Sequence, residues 1–530
     1  MIHTRNLEKS KTLKEVNHFM SSNYNKNRII KNSLLLYIRM LFTMWLNLWI
    51  TRLVLTNLGV EDMGVYGVVG SIVGLVSVFT GGVTNAVQRF ITFEAGKPDG
   101  KPNLVFCSSL NIIFLLSAIV FIMLEGVGVY MLFYSVNIPA HSMNAAFWVL
   151  QLSILTCIVN LISIPYNALI IAHEKMDAFA VISILQVLFT FGAVFSLSWF
   201  DDRLLVYGVM MAAVSIVIRA IYQIYCHYKF DEAHYHLIID KEQLKQLGKF
   251  TGVSTASGAL QVISSEGIVF VINWTFGVTI NAVYSISMQL KNSILSFALN
   301  LFKAISPQIT KTYANGEIET HKKLVYSGSK LEVYLIYFIM IPFLCRTDYI
   351  MHLWLGNVPP YAVQFAQCTV FISLTYALFE PIRASVFATN RITRFLIIPE
   401  FFFLLVLPIG YVVSKTYNNP VILITIIVGM DVLTCGLRTY YAVKVSPLKS
   451  MEILKEVLMP SILVAILDSL ICYGLCRWLD SNIWNLVLLL IINSIVLVLI
   501  IVFVGLNKAE RNICMTFACK IKEKITKNIK

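Results

Sequence analysis

Gly59-Val60-Glu61-Asp62-Met63-Gly64-Val65-Tyr66 recurs 218 residues later as Gly277-Val278-Thr279-Ile280-Asn281-Ala282-Val283-Tyr284. At the same offset Ile91-Thr92 matches Ile309-Thr310. Farther on, Pro165, Ala168, Ala172, Lys175 and Phe179 match Pro381, Ala384, Ala388, Arg391 and Phe395 at offset 216. Arg219 and Tyr222 then match Arg438 and Tyr441 at offset 219. Ordered matches whose offsets drift only with loop length mark an internal duplication.

What is duplicated is membrane. Of 530 residues, 57% are hydrophobic and 13% charged, against about 45–50% and about 25% in soluble chains. That balance excludes a soluble globular chain, and the apolar content excludes a disordered one. Apolar runs of about 20 residues read as membrane helices. They fall at 33–56, 64–87, 104–132, 144–171, 177–199, 204–226, 250–274, 281–303, 324–345, 361–387, 395–414, 420–442, 457–477 and 483–506. The expected fold is an all-α polytopic membrane protein of fourteen transmembrane helices. Spans 1–6 (33–226) and 7–12 (250–442) form two six-helix repeats, joined by a cytoplasmic linker at 227–249. Two further helices (457–506) follow, with an N-terminal tail at 1–32 and a basic tail at 507–530. Six is even, so both repeats enter the membrane in the same direction. Such parallel repeats suit transporters.

Charge orients the chain. The tails and the alternate loops with them hold 31 Lys/Arg, whereas the opposite loops hold only Arg203, Arg346, Lys415 and Arg477. By the positive-inside rule both termini are cytoplasmic. The formal net charge of +13 then faces anionic inner-leaflet lipid. A single aromatic residue, Phe517, stands among the lysines of Lys508–Lys530, so nucleic acid is not the expected partner. The polar, basic N-terminus does not read as a cleavable signal.

Several spans carry polar stripes. Arg39, Thr43, Asn47 and Thr51 are spaced by four on span 1, within one helical face. In register on span 7 lie Ser257, Gln261 and Ser265. Span 8 offers Ser285, Gln289, Asn292, Ser296, Asn300 and Lys303, and span 2 offers Gly67, Ser71, Gly74, Gly82 and Asn85. Packing through small residues suits the glycines of span 2, whereas the polar faces of spans 1, 7 and 8, with Gln289, Asn292 and Asn300 together, are expected to line a substrate cavity.

An ionised group near mid-bilayer costs about 2.5–3.5 kcal/mol and wants a reason. Lys291 and Asp431 are nearest mid-membrane. Glu266 stands eleven residues before Gly277 and Lys291 fourteen after it, so in a hairpin their depths differ by about 4–5 Å. Glu266 and Lys291 read either as a structural ion pair or as a coupling site, and Asp431 as coupling or gating. Arg383 follows Glu380-Pro381, where a broken helix would place it in the cavity. Arg52, Arg219 and Arg438 lie near helix ends and read as snorkelling anchors.

No catalytic pattern, nucleotide-binding glycine loop or metal-ligand spacing is visible, so the chain is not expected to be an enzyme or to hold a cofactor or metal. His234 and His236 read as a solvated loop. Cys107, Cys157, Cys226, Cys368 and Cys435 lie in or beside apolar runs, and Cys472 and Cys476 read as small core residues.

The motifs Asn57 through Tyr66, Arg89 through Gly96 and Pro165 through Met176 resemble those of bacterial polysaccharide transporters. These form the O-antigen flippase (Wzx-type) branch of the multidrug/oligosaccharidyl-lipid/polysaccharide exporter superfamily. The resemblance covers most of the chain and is strongest over 30–180. It implies two six-helix bundles around a V-shaped cavity, in the bacterial inner membrane. It implies a flippase moving an undecaprenyl-diphosphate-linked oligosaccharide from inner to outer leaflet by alternating access, in surface polysaccharide biosynthesis such as that of lipopolysaccharide. Partners implied are this substrate, bilayer lipids, H+ or Na+ as coupling ion, and other polysaccharide-assembly membrane proteins. Family members line the cavity with cations, and Arg39 fits that role, with Lys291 and Arg383 behind it. The stripes here are more amide and hydroxyl than cationic, a departure that suits a mainly neutral glycan.

Two other readings stand beside it. A cation-coupled multidrug exporter of the same superfamily would use acidic cavity residues, and the stripes contain none. A membrane glycan polymerase or acyltransferase would need catalytic residues in an outer loop or at a helix mouth.

Overall fold

The computed structural model describes residues 2–95, 100–173, 175–236, 241–389, 393–508 and 510–512. Side chains are described from Ile38 onward, except at 79, 82, 85, 95, 241–257, 300, 301, 303, 304 and the segments outside those ranges. The side chains of Asn85, Ser257, Asn300 and Lys303 of the expected stripes, the burial of Gly82, and the basic tail from residue 513 therefore lie outside the described residues.

The chain is an all-α polytopic membrane protein. Its helices are α1 (Ile2–Gly74), α2 (Ser77–Ala95), α3 (Pro102–Met123), α4 (Val129–Tyr134), α5 (Met143–Ala172), α6 (Met176–Ser196), α7 (Arg203–Lys229), α8 (Lys241–Ala314) and α9 (Ile318–Cys345). There follow α10 (Thr347–Leu355), α11 (Ala362–Ala388), α12 (Thr393–Leu404), α13 (Val406–Tyr417), α14 (Pro420–Val445), α15 (Ser450–Ile453), α16 (Met459–Trp478) and α17 (Ile483–Ile500). Among the described residues, twelve helical stretches are long and apolar enough to cross a bilayer. Where the sequence separates spans 1 from 2 and 7 from 8, the structure has α1 and α8, each broken at a single residue. Those residues are Gly59 (φ 80°, ψ 176°) and Gly277 (φ 77°, ψ −170°). A side chain is all but forbidden there, so the repeat conserves a conformation that only glycine adopts freely. The loop expected at about 346–360 contains the short helix α10, which its brevity hid from the search for spans.

The structure divides into two compact units. One comprises Met1–Ile50, Phe79–Val127 and Trp148–Thr255; the other comprises Thr51–Val78, Gly128–Phe147 and Ala256–Lys530. These cut across the bundles read from sequence. The physical reason is local: the segment after Gly59 packs on the segment after Gly277. A Cβ at Gly64 would lie 1.9 Å from the Val278 carbonyl oxygen, so the backbones meet as they do at small-residue helix contacts in membranes.

Within the second unit the described parts of α8 and α9 are its centre, with 67% of each hydropathic window buried, against 17% for the α17 stretch. Leu463, Ile466, Leu470 and Ile471 of α16 are exposed apolar residues, a face suited to lipid rather than water. Tyr134, Trp199, Tyr417, Trp478 and Trp484 are exposed at or near helix ends, as interfacial aromatics are.

Candidate functional site

Four helices of the first unit turn polar residues toward one another, α2 and α5 in short rows and α6 and α7 with one residue each. α2 supplies Thr84 and Gln88, α5 Asn160, Ser163 and Asn167, α6 Gln186, and α7 Tyr222. Spacings of three and four keep each row on one helical face. Together with Ile164, Ala168, Ile171 and Ile218 they line a cavity of about 210 Å³. Among the described residues no acidic side chain lines it, and the Asn167 Oδ1 atom is buried without a hydrogen bond.

Arg39 joins this wall through α6 and α7. Its Nη1 donates to Ser183 Oγ at 3.3 Å, and its guanidinium lies 4.9 Å from the Phe179 ring centre. Tyr222 is in hydrogen-bond contact with the same Ser183 and within electrostatic reach of Arg39. Arg39 Nε is buried without an acceptor. One helical turn before Tyr222, Arg219 stacks 4.3 Å over Tyr166, with Nη1 also buried and unbonded. Two guanidiniums thus flank an amide wall with donors still to satisfy. Of the other span 1 positions, Thr43 donates to its own helix at Met40 O (3.1 Å), and Asn47 is half-buried.

The second unit gathers a different set. Lys291 lies 5.6 Å from the Tyr376 ring centre, and Arg438 5.8 Å from it. Asp431 accepts from Thr375 and lies within electrostatic reach of both cations. Arg438 also pairs with Glu400. Two cations and two anions around one tyrosine compensate each other, so Asp431 is part of a buried network and not a lone acid. The Lys291–Glu266 pairing expected from hairpin depth is absent from the described contacts. Glu266 instead hydrogen-bonds Ser71 and lies against Gly74, because the glycine leaves room for a carboxylate that Lys291, drawn to Asp431, does not meet.

The other stripe residues of α8 separate. Gln261 is exposed and reaches Tyr376. Ser265 and Ser296 donate to backbone carbonyls of their own helix at 3.1 and 2.7 Å. Gln289 is half-buried and Asn292 exposed. Arg383 corrects an expectation. α11 runs unbroken through Pro381, whose missing N–H forfeits one helical bond while its ring sits 3.5 Å from where a Gly328 Cβ would stand. Arg383 therefore stays one turn from Glu380, and its Nε donates to Glu380 Oε2 at 2.9 Å.

The sequence reading missed the cavity of the first unit. The row Asn160, Ser163, Asn167 is legible by the same search that found span 1, but a row of three is weak beside the longer stripe of span 8. It missed Glu332 too, fully buried on α9 with neither carboxylate oxygen hydrogen-bonded. All eight described cysteines are free thiols.

Comparison with known proteins follows the same lines. A family profile described as "Polysaccharide biosynthesis protein" matches residues 29–313. No curated protein matches the sequence. Among solved structures, the lipid II flippase MurJ in an inward closed conformation is similar with a TM-score of 0.67 at 12% identity, over 88% of this chain and 98% of that one. An inward-facing multidrug resistance MATE family transporter of the MOP superfamily is similar with a TM-score of 0.59 at 14% identity, over 76% and 93%. These likenesses establish a shared fold.

Proposed function

The chain belongs to the polysaccharide biosynthesis protein family, and on that premise we propose that it is a flippase for a lipid-linked oligosaccharide. The substrate is a glycan on undecaprenyl diphosphate, carried from the inner to the outer leaflet of the bacterial cytoplasmic membrane by alternating access. In this reading α1 and α8 each make two spans hinged at glycine, giving fourteen, with both termini cytoplasmic. The polymer it serves is a surface polysaccharide of the lipopolysaccharide type.

The observation that carries this reading is the cavity of the first unit. An amide and hydroxyl wall without a carboxylate suits the many hydroxyls of a neutral glycan. Arg39 and Arg219, each with an unbonded buried N–H, suit a diphosphate, which needs charge-assisted donors. Arg39 keeps the role expected of it; Arg219 moves from anchor to second cation. Its repeat partner Arg438 is neutralised by Glu400, so the two halves have diverged. Coupling falls to a proton or sodium gradient, with Glu266 and Asp431 as candidates and Glu332 joining them, because its buried carboxyl lacks a donor among the described residues and so favours a proton over a charge. Lys291, Arg383, Gln261, Ser265, Gln289, Asn292 and Ser296 are assigned to structure or to later steps of passage.

Purified protein in liposomes, given a fluorescent lipid-linked oligosaccharide in one leaflet, should transfer it to the other. Export of a cationic drug without lipid transfer would favour the multidrug reading, and altered glycan chemistry would favour the polymerase or acyltransferase reading.

A further inference from the structure

Away from the cavity, three cysteines converge at one end of the seam between α9 and α16. Cys345 is the last residue of α9, and Cys472 and Cys476 sit four apart on α16. Their sulfurs all lie within 4.8 Å of one another. Positions i and i+4 share one helical face, the same spacing by which two helical side chains grasp one zinc ion in H-E-x-x-H motifs. The third sulfur comes from a facing helix, so the three form a triangle rather than a row. Sulfurs around a tetrahedral zinc stand about 3.8 Å apart, from a Zn–S bond of about 2.3 Å. Closing from 4.8 Å asks for a movement of about 1 Å.

The surroundings fit a bound cation independently. Asp468 lies one turn below Cys472 on the same face, fully buried, with Asn493 donating to Oδ2 at 3.2 Å and Oδ1 unbonded. A buried carboxylate beside the three sulfurs adds negative charge that a cation there would offset. Cys345 also lines a pocket of about 540 Å³ together with Asp348, His352 and Ser481, which gives an ion a way in. Arg346 fixes the end of α16, donating to Cys476 O at 2.6 Å and to Leu479 O. Three thiolates, the Asp468 carboxylate and a divalent ion leave two negative charges, and Arg346 offsets one of them.

We propose that Cys345, Cys472 and Cys476 form a thiolate site for a divalent thiophilic cation of the Zn2+ class. Binding exchanges three thiol protons for three metal–sulfur bonds, and water from the Arg346 pocket takes the fourth position against Asp468. The ion staples α16, and with it α17, onto α9 at the end opposite the Tyr337–Ser461 and Tyr334–Gly505 hydrogen bonds.

The test uses the full chain, purified in detergent, reduced, freed of metal by a chelator, and titrated with Co2+ as probe. One equivalent per chain should give thiolate-to-cobalt charge-transfer absorption, which Zn2+ displaces. Cys472→Ser should abolish it. Asp468→Asn should keep the stoichiometry and weaken affinity about 10-fold. In the native chain, Zn2+ should slow alkylation of the half-buried Cys345 and Cys476 at least about 10-fold, leaving Cys157 and Cys368 unchanged. This second measurement holds even if the serine variant does not fold. No absorption and no protection in the native chain would overturn the site. So would a disulfide from Cys345 to Cys472 or Cys476 in a chain that, once reduced, fails to bind cobalt.

Discussion

Replacing Glu510 by Gln should destabilise the protein by several kcal/mol, and the structure says why. Lys330 Nζ lies 2.6 Å from Glu510 Oε2, with the two side chains only 3% and 14% exposed. Glu510 also accepts from the Ser327 hydroxyl and, at 2.9 Å, from the Asn507 N–H. Asn507 Oδ1 in turn accepts the Glu510 N–H at 2.9 Å, the reciprocal pattern of a capping box. Taking away the carboxylate charge leaves a buried ammonium uncompensated, which costs about 3–5 kcal/mol. Replacing both charges with neutral groups is far milder, so Lys330→Met/Glu510→Gln should be more stable than Glu510→Gln alone. The double-mutant cycle, read by thermal unfolding of detergent-purified protein, should give a coupling of about 2–3 kcal/mol. Acid supplies a second readout. Burial pushes the Glu510 carboxyl up, but the hydrogen bonds from Lys330, Ser327 and Asn507 outweigh it and hold the group below its ordinary value. A folded-state pKa depressed in this way gives stability that is complete above the unfolded value and lost as pH falls through the folded one. That acid loss should shrink in Glu510→Gln. Additive single variants, with an acid limb unchanged by Glu510→Gln, would refute the reasoning.

Other expectations are simpler. Gly277→Ala should cost about 1–3 kcal/mol from backbone strain alone, since nothing lies within 4 Å of the added Cβ; an unchanged melting temperature would contradict the φ assigned there. Arg438→Leu strands Glu400, and should destabilise by about 3–5 kcal/mol, with Arg438→Leu/Glu400→Leu regaining most of it on the same thermal assay.

How much was legible in sequence depended on whether a signal was local. The hydrophobic runs and the recurrence of Gly59 at Gly277 are written along the chain, and the fold and the two glycine breaks follow from them. Arg39 was legible because its stripe runs within a single helix. Its partners Ser183, Phe179 and Tyr222 were not, because they come from α6 and α7, brought near only by packing. Lys291 shows the limit of depth arithmetic: a depth difference of about 4–5 Å allowed Glu266, but side-chain direction around the helix decided for Asp431. Pro381 shows the limit of a local rule, since neighbouring packing held α11 intact across a residue that ends helices in water. Cys345 stands more than a hundred residues before the pair Cys472 and Cys476, and no spacing rule joins it to them.

The most direct measurement of the central account is the rate of leaflet transfer of a polyprenyl-diphosphate-linked glycan in liposomes, wild type against Arg39→Ala. Removing a charge-assisted hydrogen bond worth about 1.5–3 kcal/mol should slow transfer by about 10- to 100-fold at equal reconstitution, with Arg39→Lys recovering part of it. No transfer by the wild type above protein-free liposomes, or equal rates for wild type and Arg39→Ala, would contradict it.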